Sequence, residues 1–78
     1  MADKKVNIEL TKDEAIVLFE FLCRFNENDN LTSFEDQSEH RVLWDLECIL
    51  EKELSELFRA DYKEILKKAR DTVRDGKE

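Results

Sequence analysis

Proline is missing from this 78-residue sequence, and glycine occurs once, at Gly76. A β-sandwich or a phosphate-cradling loop needs more glycine than that. Only two cysteines are present, Cys23 and Cys48, far apart and each in an apolar run. There is no Cys-x-x-Cys and no cysteine–histidine cluster for zinc, so buried reduced thiols are expected. Histidine also occurs once, as His40. The longest wholly apolar run, Ala15–Phe19, is far short of a membrane span. No apolar stretch follows Met1-Ala-Asp-Lys-Lys, which predicts a cytoplasmic chain with no signal peptide and no membrane partner. No motif calls for a cofactor.

What the chain does have is charge. Charged residues make up 42% and hydrophobic residues 41%, and 13 basic groups face 20 acidic ones for a net charge of −7. A phosphate backbone is repelled by such a chain, so nucleic-acid binding is not expected. The charge is uneven. Residues 1–10 are neutral, and residues 11–34 carry two basic against five acidic groups. Residues 35–54 carry two against seven, and residues 55–78 carry seven against six. The acid sits in the middle and the C-terminal segment is mildly basic. The length allows one domain, over 1–78. A domain this small buries roughly 60% of the surface its unfolded chain exposes, so dimerisation is a common remedy for its marginal stability.

Val6, Ile8 and Leu10 alternate with Asn7 and Glu9, a period of two that predicts a short strand over about 5–10. Thr11-Lys-Asp-Glu14 reads as a capping box opening a helix over about 12–26. Asn26-Glu-Asn-Asp-Asn30 is turn-prone, and Leu31 and Phe34 are expected to pin that loop to the core. Thr32 or Ser33 is expected to cap a second helix over about 35–54. A bend near Ser55–Arg59 separates it from a third helix, opened by Asp61-Tyr-Lys-Glu64 and running to about Val73. The fold class expected is mainly α: a three-helix bundle-like domain with one short N-terminal β-strand, completed by dimerisation.

The first helix drives the expectation of a dimer. Its apolar residues cover roughly 260° of the helical circle, against a stripe nearer 100° for an ordinary surface helix. Only Glu20 and Arg24 mark a wet side. The lone strand also needs a partner for its edges. A homodimer burying Val17, Phe21, Val6 and Ile8 answers both needs. In the second helix, Val42, Leu43, Leu46, Ile49, Leu50 and Leu54 form the stripe expected in the core. Trp44 and Cys48 lie nearly opposite, four apart on one line. Trp44 then either anchors a partner or packs under the strand of its own chain. With Cys48, Glu47 and Glu51 it forms the expected partner-binding face. The third helix shows one narrow stripe, Tyr62, Ile65, Leu66, Ala69 and Val73, with Lys63, Lys67, Lys68 and Arg70 free to approach the acids of the second.

Catalysis is not expected. The only histidine lacks a second one to complete a metal site, and the residue three before it is Gln37 rather than glutamate. His40 and Cys48 are eight apart, about 12 Å of helical rise, too far to pair. Acids beside Cys48 make its thiol less reactive. Ser33, Ser38 and Ser55 have no glycine elbow. The expected function is a small acidic cytoplasmic interaction protein of accessory, inhibitor or immunity type. The alternatives are a nucleic-acid mimic, which the interleaved basic residues spoil, and an enzyme or metal protein without a recognisable motif.

Glu9-Leu-Thr-Lys-Asp-Glu-Ala15 with Leu18-Phe-Glu-Phe-Leu22, then Arg41-Val-Leu-Trp-Asp-Leu-Glu-Cys-Ile-Leu-Glu51 and Asp61-Tyr-Lys-Glu-Ile-Leu66, resemble short uncharacterised bacterial proteins. The resemblance implies a bacterial cytosolic origin and no particular activity.

Overall fold

The computed structural model describes residues 5–27 and 34–76. Three helices carry the fold: α1 (Lys12–Glu27), α2 (Gln37–Glu53) and α3 (Tyr62–Asp75), with a single 3-10 turn (Ser55–Phe58) between α2 and α3. The capping box forms as its residues predict. The Glu14 amide donates to Thr11 Oγ1 at 3.1 Å, and the Thr11 amide donates to Glu14 Oε1 at 2.9 Å. Asp13 and Glu14 also sit at the positive end of the α1 dipole, and Arg24 at the negative end.

The start of α2 differs from expectation. It begins at Gln37 rather than Glu35, and its cap is Asp36, whose carboxylate accepts the Ser38 amide at 2.7 Å. These two bonds, from the Ser38 hydroxyl and amide, hold the Asp36 carboxyl below the ordinary carboxylate range. Thr32, Ser33 and Leu31 lie outside the described residues, as does the loop beyond Glu27. The expected bend is present. At Leu54 the backbone turns extended (φ −109, ψ 99), and its side chain is buried while its amide still donates to Leu50 O. Keeping Leu54 in the core ends the helix without proline or glycine. Asp61 opens α3 by position but does not cap it with its side chain. Its carboxylate instead takes both Nε and an Nη nitrogen of Arg59, at 3.0 and 3.3 Å. At the far end α3 continues past Val73 to Asp75 and stops at Gly76, in the left-handed region (φ 66, ψ 34) that suits glycine.

α1 lies in the middle. α2 and α3 each pack on it, while no Cα–Cα approach within 8 Å joins α2 to α3. The core is Ala15, Ile16, Phe19 and Leu22 of α1, Leu50 and Leu54, and Leu66 and Ala69 of α3. Ala69 is 0% exposed, so α3 meets α1 over a small residue. Polar bonds fix the same arrangement. Tyr62 donates its hydroxyl to Glu20 at 3.0 Å, tying α3 to α1. Lys12 reaches Glu56 of the 3-10 turn at 3.1 Å.

Three expectations are corrected: the strand, the buried α2 stripe, and the approach of the α3 bases to α2. Residues 5–10 form no strand; they lie on the surface without regular secondary structure, with Val6 85% and Ile8 77% exposed. A strand needs a neighbouring edge, and among the described residues only helices, which satisfy their own backbones, lie nearby. Within this chain α2 and α3 cover much of the α1 circumference. Being central, α1 buries apolar groups against α2 on one side and α3 on another, and Val17, Leu18 and Cys23 pack onto the core edge. Phe21 stays half-exposed. In the α2 stripe, Val42 and Ile49 face outward at 62% and 57% exposure. The basic residues of α3 make no ion pair with α2 among the described residues; Arg74 pairs with Asp71 and Asp75 of its own helix. No helix among the described residues is long and apolar enough to cross a membrane.

Candidate functional site

α2 carries a depression on each of two opposite sides. The first is a cleft of about 500 Å³ at its N-terminal end, lined by Phe34, Glu35, Asp36, Gln37, His40, Arg41 and Trp44. Helical spacing builds it, since His40, Arg41 and Trp44 share one face at i, i+1 and i+4. Trp44 is 50% exposed, and the Arg41 guanidinium lies 5.8 Å from its ring centre, in cation–π range. Arg41 also pairs with Asp45 at 3.4 Å. An aromatic row leads away from the cleft towards α1. His40 lies 5.6 Å from Phe34, Phe34 meets Phe25 edge-on at 5.7 Å, and Phe25 stacks on Phe21 at 5.6 Å. Residues 8–10 run along the other side of α2, beside Leu46 and Ile49, so they leave Trp44 uncovered.

The expected partner-binding residues are placed differently from one another. Trp44 and Glu51 are at the surface, and Cys48 is half-buried. Glu47 turns inward. Its carboxylate accepts the Asn26 side-chain amide at 2.7 Å and the Cys23 thiol at 3.5 Å, which locks α2 to α1. Of the expected dimer residues, Val17 is half-buried against the core, whereas Phe21, Val6 and Ile8 are exposed. Phe34 and Arg41 were not expected in a site. The Arg-x-x-Trp spacing of Arg41 and Trp44 could have revealed one of them; the position of Phe34 follows only from the packing of α1 on α2.

Burial, together with the adjacent Glu47 carboxylate, pushes the Cys23 thiol up to about 12, so it stays protonated and weakly nucleophilic. Among the described residues no three metal-ligating side chains converge. The second depression, an apolar groove on the far side of α2, is lined by Ile8, Leu10, Leu18, Leu46 and Ile49 among others. No protein-family profile matches this sequence, and no curated protein or solved structure is significantly similar to it.

Proposed function

We propose that this chain is a small acidic cytoplasmic protein without catalytic activity that acts by binding another protein, as an accessory, inhibitor or immunity component. The observation that carries the reading is Trp44, half-exposed in a cleft with Arg41 on its ring. Tryptophan and arginine at the centre of a surface recess are the residue types that dominate protein–protein binding energy. The acidic groups of α2, with Glu51 among them, supply a charged rim. Tagged wild-type chain and Trp44→Ala are used to capture partners from the native host, with thermal stability measured for both. A stoichiometric partner held by wild type and lost by an equally stable Trp44→Ala is the expected result. Recovery of the same partner by both proteins would refute it.

A second reading, self-association into a homodimer, is favoured by Phe21, which is 49% exposed, together with Val6 and Ile8. Sedimentation equilibrium at tens of micromolar tests it directly. A dimer that Phe21→Glu converts to folded monomer is expected; a monomeric wild type ends the idea.

A further inference from the structure

We propose that the apolar groove between α1 and α2 is a docking site for an amphipathic helix with basic flanks, supplied by a partner protein. The groove holds about 730 Å³ and is walled by Leu18 of α1, Leu46 and Ile49 of α2, and Ile8 and Leu10 of the N-terminal segment. On α2, Val42, Leu46 and Ile49 stand at i, i+4 and i+7, the ridge by which one helix packs on another. Here Val42 and Ile49 of that ridge are both more than half exposed, while Leu46 between them is half-buried at the core edge.

Charge selects the occupant. Among the described residues, the only charged ones that line the groove are Glu9 and Glu53. The two basic residues of α2 offer no cation there. Arg41 lies on the opposite face over Trp44, and by helical spacing Lys52 also points away from the groove. Lysines or arginines beside an apolar stripe would therefore meet Glu9 and Glu53, which make no ion pair among the described residues. A second copy fits poorly. Its basic helix, α3, has already buried Leu66 and Ala69 against its own α1, and two grooves face to face bring Glu9 and Glu53 against their own kind. The proposal rests on the reading of the chain as an interaction protein, but not on Trp44, which lies on the other side of α2.

The test uses a fluorescent 18-residue helical peptide with leucines at i, i+3, i+4 and i+7 and lysine flanks, and a counterpart with glutamate in place of lysine. Anisotropy titrations are run on the full chain at physiological salt. Wild type should bind the lysine peptide at least tenfold more tightly than the glutamate peptide. Ile49→Glu should weaken binding of the lysine peptide at least tenfold. That variant makes the chain more acidic, so non-specific attraction to a negative protein would strengthen instead. Glu53→Lys should weaken the lysine peptide several-fold and favour the glutamate peptide, and Trp44→Ala should change neither. Absence of lysine-peptide binding, or undiminished binding by Ile49→Glu, would overturn the proposal. So would loss on Trp44→Ala in place of Ile49→Glu, which puts the helix in the other cleft. A wild-type dimer that Ile49→Glu alone dissociates would assign the groove to a second copy and equally overturn it.

Discussion

Two side chains between helices, Tyr62 and Cys23, shape the alkaline pH response of this protein. Burial first, and then the Glu20 carboxylate that accepts its hydroxyl, push Tyr62 from its ordinary 10.0 up to about 12. Cys23 is pushed from 9.0 to about 12 by burial and Glu47. Both groups keep protons in the folded chain that the unfolded chain releases earlier. Their contribution to stability is therefore complete below pH 9 and is lost as pH rises towards 12. Urea midpoints should be steady across neutral pH and fall between pH 9 and 12. Tyr62→Phe should lower the midpoint at pH 8 by a loss of about 0.5–1.5 kcal/mol and flatten the decline above pH 10. In a Cys48→Ser background, Cys23 should react with a thiol reagent at pH 8 more slowly than free cysteine, and Glu47→Gln should speed it. At this scale the sequence was only half legible. The apolar run reads Cys23 as a buried thiol, whereas it is half-buried at the edge of the core. Glu47 was read as a surface acid, because its inward turn depends on Cys23 and Asn26, more than twenty residues earlier in the chain.

Helix ends show which elements local chemistry decides. Thr11 and Glu14 form their reciprocal bonds within four residues, so α1 starts where its sequence says. Thr11→Ala should cost about 1 kcal/mol, measured by thermal unfolding. Asp36→Ala should cost a similar amount, because Asp36 is the real cap of α2. The sequence reads Thr32 or Ser33 as the cap, whereas Asp36 is, because which of several polar residues caps α2 depends on how the chain enters it. The alternation of Val6, Ile8 and Leu10 reads as a strand by the same local rules. It forms none, because strand structure is satisfied by a neighbour's backbone and not by its own residues. The bend after Leu54 lies between these cases. Its place was readable from the fresh start at Asp61, but its cause is the tertiary burial of Leu54.

Across the whole molecule, stability rests on the central position of α1. Phe19 is 9% exposed and belongs to the core cluster. Phe19→Ala should cost about 3–5 kcal/mol, most of what a domain this small possesses, and leave a largely unfolded chain by circular dichroism. Phe21→Glu, at a half-exposed site stacked on Phe25, should leave the monomer's thermal stability nearly intact. The contrast between two phenylalanines two residues apart checks the orientation of α1. Helical spacing was enough to place Phe19 in the core of the chain and Phe21 away from it, to count three helices, and to put Leu66 and Ala69 on the buried stripe of α3; that Phe21 is covered by a second chain was an expectation of assembly, not of spacing. These are properties of a 3.6-residue period, which any one segment carries within itself. The order of the layers was not readable in that way. An apolar circumference says that α1 must be covered, but not by what. α2 and α3 take two sides of α1, and Val42 and Ile49 lie at the surface of the chain rather than in its core. The cleft beside Trp44 and the groove beside Ile49 exist because α2 leans on α1 along one edge only. That contact joins residues more than twenty apart in sequence, and no local pattern encodes it.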